Sequence, residues 1–108
     1  MAGLGFLLRH ELAARIELAI VLLALIWFAL LGRSLGEILI LLVLACLLFS
    51  IEALNTAIEC IVDRLSPERS AFGKAAKDLG SAAVFFVLLA GGLYVGAITA
   101  DHFNLISL

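Results

Sequence analysis

Four polar residues recur at helical spacing beside an apolar part of the chain. Glu52, Asn55, Glu59 and Asp63 are separated by three, four and four positions. On a helix of about 100° per residue, these side chains fall on one stripe. The apolar run Ile38–Ile51 leads directly into the stripe. The three acids therefore stand at the end of an apolar helix, where they require partners.

The axial spacing of the acids separates two chemical tasks. Glu52 and Glu59 are about 10 Å apart along a helix, so they cannot both ligate one small cation from the same chain. Glu52 is nearer the apolar run and is placed to meet the polar head of a lipid. Glu59, about two turns further out, suits Mg²⁺ if a second acid such as Glu11 joins it, because Mg²⁺ takes one or two carboxylates plus substrate phosphates.

Two lysines, Lys74 and Lys77, enter the same membrane face from the third apolar segment. With the acids, they can hold a nucleoside triphosphate against a lipid hydroxyl, since phosphoryl transfer needs mainly positioning and charge neutralisation. The sequence contains no G-x-x-x-x-G-K-[ST] loop and no protein-kinase signature. The residues alone also allow a second interpretation, in which these charges are interfacial anchors and inter-helix pairs that bind anionic head groups.

The composition indicates a membrane protein. Hydrophobic residues make up 65% of the 108 residues, and the mean hydropathy is +1.24, whereas soluble domains are about 45–50% apolar. We predict a single all-α membrane domain with three transmembrane helices, over about residues 11–31, 36–65 and 73–100, and a polar loop at 66–72. A basic start before an apolar run also resembles a signal peptide, but Glu17 interrupts that run and two further apolar segments follow.

The basic residues predict the orientation in the membrane. Arg33 alone lies between the first two apolar segments, and the other Lys and Arg residues lie near the amino terminus or the 66–72 loop. The positive-inside rule therefore places the amino terminus and this loop in the cytoplasm, and the carboxyl terminus outside. Cys46 and Cys60 lie at different depths of one predicted helix, so we expect two buried thiols that do not pair. Gly92 and Gly96 form a small-xxx-small pair that permits close helix approach.

The polar stripe resembles a known family signature. The segment EALNTAIECIVDR over Glu52–Arg64, followed by KDLGSAAV over Lys77–Val84, closely resembles the signature of the prokaryotic diacylglycerol kinase family. The resemblance covers about residues 11–84 and implies a small inner-membrane lipid kinase that uses ATP and Mg²⁺. It also implies a homotrimer of three-helix subunits, with active sites shared between subunits at the cytoplasmic surface.

The resemblance also implies roles for individual residues. Glu52 resembles the catalytic base that takes the proton from the lipid hydroxyl, and Glu11 and Glu59 resemble the acids that hold magnesium. The residues expected at the nucleotide are Glu11, Glu59, Lys77, Asp78 and, by its charge alone, Arg69. Those expected at the lipid are Arg15, Glu17, Glu52 and Ser81. The expected supporting residues are Asn55, which orients the group, Asp63 and Lys74.

Three questions remain open at the level of the sequence. The family also includes undecaprenol kinases, although the Gly80–Val84 ending looks more like the diacylglycerol branch. Family members usually carry a longer amphipathic surface helix before the first transmembrane segment, whereas about ten residues precede Glu11 here, so the contacts of that helix are not carried over. A non-enzymatic membrane oligomer or a proton-coupled exporter, with Glu52 as a proton relay, is the alternative from a different functional class.

Overall fold

The computed structural model describes residues 2–66 and 70–108. These residues form four helices and no strand: α1 (Ala2–His10), α2 (Leu12–Leu31), α3 (Leu35–Leu65) and α4 (Ala71–His102). By length and composition, α2, α3 and α4 could each cross a membrane. The predicted fold class, an all-α membrane protein with three such helices, is confirmed.

The short first helix was not predicted from the sequence. The stretch Ala2–His10 forms α1, whereas the first predicted helix began at residue 11. Glu11 then breaks the helix, because its backbone is extended, with φ −116° and ψ 110°. Glu11 therefore lies at an elbow between α1 and α2 and not inside a helix. Leu7 is buried, and α1 packs on both α2 and α3.

The most extensive helix packing in the fold is between α3 and α4. The 31 residues of α3 extend about 46 Å at 1.5 Å per residue, which exceeds the roughly 30 Å of a bilayer core. One end of α3 must therefore project beyond the hydrocarbon. We call the end of the bundle that holds α1, the start of α2, the end of α3 and the start of α4 the basic end, since all the described Lys and Arg residues except Arg33 belong to these segments.

The connection between α3 and α4 lies at the basic end. Serine caps the start of α4, because the Ser70 hydroxyl accepts a hydrogen bond from the Gly73 backbone N–H at 3.0 Å. The cap explains why α4 begins at Ala71, two residues before the predicted position. The hydroxyl groups of Ser66 and Ser70 lie 2.8 Å apart across the loop. The predicted phosphate contact Arg69 lies outside the described residues.

The opposite end is closed by two adjacent caps. Gly32 ends α2 in the left-handed region at φ +70°, a conformation that glycine adopts without steric cost. Ser34 then begins α3 with a capping box, in which its hydroxyl accepts from the Glu37 N–H and its own N–H donates to the Glu37 carboxylate. Phe28 is fully buried beside this turn, against Leu41 and Ile98.

A cluster of charges ties this tight turn to the end of α4. The Arg33 guanidinium donates to the Glu37 carboxylate at 2.6 Å and to Asp101 at 3.2 Å, and all three side chains are at least 70% buried. The Glu37 hydrogen bond, followed by the Asp101 bond, raises the pKa of the Arg33 guanidinium above its usual value. We call Arg33, Glu37 and Asp101 the outer clamp. Two neutral bonds lie beside it, from Tyr94 to the Glu37 carbonyl and from Trp27 to Thr99.

Most of the helical surface between the two ends is apolar and exposed within one chain. Lipid tails or other subunits must cover this surface in a membrane, since water would not. Cys46 and Cys60 lie on it, so the expectation of two buried thiols was wrong, while neither cysteine forms a disulfide. The hydropathy of the segment could not distinguish a core position from a lipid-facing one, because both are apolar.

An apolar groove of 510 Å³ lies between α2 and the α3–α4 pair. Its walls begin one helical turn from Glu17, at Ile20 and Val21, and one turn from Glu52, at Leu48. Its floor on α4 contains Gly91, Gly92 and Gly96, where an added methyl group would meet no atom within 4 Å. The groove therefore connects the polar stripe to the apolar middle of the bundle.

We predict that the outer clamp stabilises the bundle. Arg33→Gln should lower the thermal unfolding temperature in detergent by several degrees, because it leaves the largely buried carboxylates of Glu37 and Asp101 without their cation. Lys74→Gln is the matched control, since it also breaks an i,i+4 ion pair, with Asp78, but one whose side chains are 79% and 65% exposed. Equal and small shifts for the two variants would contradict a stabilising clamp.

Candidate active site

Glu52 lies at the centre of the polar stripe and is almost completely enclosed. Its side chain faces α2, where the carboxyl group of Glu17 lies within hydrogen-bonding reach. The residues are 3% and 5% exposed, respectively. Two carboxylates in contact repel each other, so this pair needs a proton, a cation or a hydrogen-bond donor between them. A ligand hydroxyl meets that need.

Asn55 connects Glu52 to the part of the stripe nearer the basic end. Its amide nitrogen donates to a carboxylate oxygen of Glu59 at 3.4 Å, and the residue is 8% exposed. The amide oxygen points at Gly80 of α4, where an added Cβ would overlap it. Glycine at position 80 therefore allows α4 to approach closely enough to hold the Asn55 side chain in place.

Glu59 lies further towards solvent, among several charges. It is half-buried, and the acids Glu11, Glu52 and Asp63 and the ammonium of Lys77 lie within its electrostatic range, with Glu11 acting most strongly. The elbow before α2 brings Glu11 to this position from the far end of the sequence. Sequence analysis also predicted that Glu11 and Glu59 act together.

The donor set suits magnesium held together with a phosphorylated ligand. Glu11 and Glu59 supply carboxylate oxygens, which Mg²⁺ prefers. Within residues 2–66 and 70–108, no group of three or more Asp, Glu, His or Cys side chains could enclose a metal ion. A pair of carboxylates fits Mg²⁺, which usually relies on one or two carboxylates and completes its shell with water and substrate phosphates.

Both lysines of α4 form ion pairs at the basic end. Lys77 donates to Asp63 on α3 at 2.5 Å, which offsets the repulsion that the Glu59–Asp63 spacing predicts. Lys74 donates to Asp78 at 2.7 Å, one turn along the same helix. The predicted nucleotide pair Lys77 and Asp78 is therefore divided between two salt bridges.

The remaining predicted residues lie at the edge of this cluster. Arg15 and Ser81 are both exposed, on the first turns of α2 and the third turn of α4. In the part of the chain that the structure describes, neither side chain has a hydrogen-bond or ion-pair partner. The structure thus brings together Glu11, Glu17, Glu52, Asn55, Glu59, Asp63 and Lys77. Arg15, Ser81, Lys74 and Asp78 lie around this group.

One buried polar residue of the stripe was missed by sequence reasoning. Thr56 is 6% exposed and lies between Glu52 and Glu59 on α3. Its position four residues after Glu52 was available as a signal, but a single threonine in an apolar helix does not distinguish a functional hydroxyl from an ordinary surface residue. The stripe therefore contains five polar residues and not four.

We predict that Gly80 and Asn55 are energetically coupled. Gly80→Ala should cost about 1 kcal/mol of unfolding free energy, because the added methyl group forces the Asn55 amide to rotate away from Glu59. The cost should largely disappear in an Asn55→Ala background, as a double-mutant cycle in detergent would measure. Gly91→Ala, where the methyl group meets open space, is the control and should not destabilise. An equal cost in both backgrounds would argue against the contact.

Comparison with known proteins identifies the family of the chain. The family model described as prokaryotic diacylglycerol kinase matches residues 1–99. Proteins named diacylglycerol kinase from Sinorhizobium, Haemophilus influenzae and Pseudomonas aeruginosa are 45%, 38% and 43% identical to the chain. The matches cover 78%, 91% and 82% of this chain, and 61%, 83% and 72% of those proteins. The chain belongs to the prokaryotic diacylglycerol kinase family.

Proposed function

We propose that the chain is a membrane lipid kinase that transfers the γ-phosphoryl group of ATP to the free hydroxyl of diacylglycerol and forms phosphatidic acid. The observation that carries this proposal is the enclosed carboxyl group of Glu52 beside an apolar groove, with Glu59 about two turns further out. This arrangement allows an apolar substrate and a charged one to meet at one depth. The names of the relatives support the choice of diacylglycerol.

In the proposed reaction, Glu52 acts as the general base. The lipid hydroxyl donates a hydrogen bond to the Glu52 carboxylate, and the hydroxyl oxygen attacks the γ-phosphorus as its proton passes to Glu52. The new bond joins the lipid oxygen to phosphorus, and the bond from phosphorus to the bridging oxygen of ATP breaks. ADP leaves, and the proton remains on Glu52 until it is released to solvent.

The residues at the basic end bind the nucleotide in this proposal. Glu11 and Glu59 would hold Mg²⁺, which would supply charge neutralisation for the phosphates. Lys77 and Asp78 contact the nucleotide once their salt bridges open, while Asp63 and Lys74 are the partners that hold them in the absence of ligand. Asn55 keeps Glu59 oriented.

The lipid occupies the inner side of the site. Arg15, Glu17 and Ser81 line the polar head, and one acyl chain extends into the apolar groove below Glu17 and Glu52. A 510 Å³ volume lies within the range of small-molecule binding sites. Undecaprenol, an apolar alcohol with a single hydroxyl, is the alternative substrate, since the same base and groove could serve it.

The assembly and location follow from the same proposal. We place the protein in the bacterial inner membrane, with the amino terminus and the basic end in the cytoplasm, where ATP is available, and the outer clamp outside. We further propose a homotrimer with active sites shared between subunits. The exposed apolar faces of the helices and the open space over Gly92 and Gly96 support close contact between copies.

We predict that Glu52→Gln abolishes lipid phosphorylation without unfolding the protein. The amide keeps the shape of the side chain but cannot accept the proton, so turnover should fall by at least about a hundredfold. The measurement is phosphatidic acid formation by purified protein in mixed micelles with ATP, Mg²⁺ and diacylglycerol. Glu37→Gln, an acid of the outer clamp, is the control and should retain turnover per folded molecule.

The same assay tests the lipid and the functional class. Equimolar undecaprenol should be phosphorylated with a lower kcat/KM than diacylglycerol, and the reverse order would identify the undecaprenol branch. Near-normal turnover by Glu52→Gln would remove the base assignment. Proton-coupled flux in sealed vesicles, without any lipid phosphorylation, would favour the exporter.

A further inference from the structure

Three buried polar atoms near Glu52 lack hydrogen-bond partners within the described residues. They are Glu17 Oε2, Asn55 Oδ1 and Thr56 Oγ1. Buried polar atoms in native proteins are almost always paired, so an orphaned atom calls for a missing ligand or water. Glu17 already belongs to the proposed lipid site, and the Asn55 oxygen faces Gly80 of α4. The Thr56 hydroxyl has no assigned partner.

The two threonines of the chain differ in a way that makes Thr56 informative. A threonine in a helix commonly satisfies its hydroxyl by donating to the carbonyl four residues earlier. Thr99 does this, since its hydroxyl donates to the Val95 carbonyl at 2.7 Å and also accepts from Trp27. Thr56 makes neither kind of bond in the described chain. The O–H group of Thr56 therefore has no acceptor in residues 2–66 and 70–108, although it is buried.

The position of Thr56 matches the path of the transferred group. It lies four residues after Glu52 and three before Glu59, at axial distances of about 6 Å and about 4.5 Å. All three residues share one face, within about 60° around the helix. In the proposed reaction Glu52 meets the lipid hydroxyl and Glu59 lies on the nucleotide side, so the phosphoryl group crosses at the depth of Thr56.

Thr56 and Asn55 lie on different flanks of Glu52. Asn55 is turned about 60° to one side of Glu52, where it meets Gly80 of α4, whereas Thr56 is turned about 40° to the other. Helices α1 and α2 also pack on α3. Thr56 therefore lies on the flank of Glu52 opposite the one where Asn55 meets Gly80.

We propose that Thr56 is a further substrate-contacting residue, whose hydroxyl donates a hydrogen bond to an oxygen of the phosphoryl group during transfer. This inference rests on the proposed kinase function. A neutral donor aimed at developing charge in a water-poor site stabilises the transition state more than the ground state. A phosphoryl oxygen would give this buried hydroxyl the acceptor that it lacks among the described residues.

The test compares Thr56→Val and Thr56→Ser with Thr99→Val. Valine keeps the shape of threonine but removes the hydroxyl, and serine keeps the hydroxyl. For Thr56→Val we expect kcat to fall at least about tenfold, with the KM for ATP and for diacylglycerol within about twofold. Its thermal stability should stay equal or rise, since an unpaired buried hydroxyl is replaced by a methyl group. Thr56→Ser should retain kcat within about threefold.

Thr99→Val is the matched control and should show the opposite pattern. It removes two hydrogen bonds at the far end of the bundle, so it should lower thermal stability and leave kcat per folded molecule unchanged. A normal kcat for Thr56→Val, an equal loss in the serine variant, or a loss of stability like that of Thr99→Val would each overturn the inference. A wild-type protein that phosphorylates no lipid would instead refute the proposed function, and the Thr56 assignment would fall with it.

Discussion

The structure depends on burying the carboxyl group of Glu52 in the wall of an apolar bundle. Charged groups are costly to place away from water, so the surrounding residues must supply partners or leave room for a ligand. Here Glu17 meets Glu52 from α2, and Gly80 lets α4 approach from the other side. Both neighbours add acceptors or space but no cation. The site is therefore built to receive a donor such as a hydroxyl group.

In the proposed reaction, the depth of each acid determines the substrate that it can meet. Glu52 lies one turn from the apolar groove, while Glu59 lies about two turns nearer to solvent and within range of Glu11 and Lys77. A lipid alcohol and a nucleotide cannot share one solvent environment, because one is apolar and the other carries several charges. A single helix that passes from the bilayer into water supplies both environments on one face.

The parts of this arrangement that follow a period were predictable from the sequence. The stripe from Glu52 to Asp63 has helical spacing, and the apolar runs predict the three long helices. The Ser34-x-x-Glu37 capping box can also be recognised in the sequence. Its link through Arg33 to Asp101 cannot, because Asp101 is 68 residues from Arg33. Contacts between helices depend on rotation and approach, which a single sequence does not encode in a local pattern.

Other features lacked a local signal. The nine residues of α1 are too few for a periodic pattern to distinguish a helix from an apolar lead, and the elbow at Glu11 depends on how α1 packs. The pairing of Gly80 with Asn55 needs the α3–α4 crossing. Site residues named only through the family resemblance, such as Ser81 and Arg15, lie exposed in the chain, so their role depends on lipid or on other subunits.

The central claim is that the protein transfers the phosphoryl group directly, with Glu52 as a base and not as a nucleophile. The most direct test is the stereochemical course of transfer from ATP made chiral at the γ-phosphorus with oxygen isotopes or sulfur. A single in-line displacement predicts inversion of configuration in the phosphorylated lipid. Retention would contradict the account, because it would require two displacements through a phosphorylated side chain.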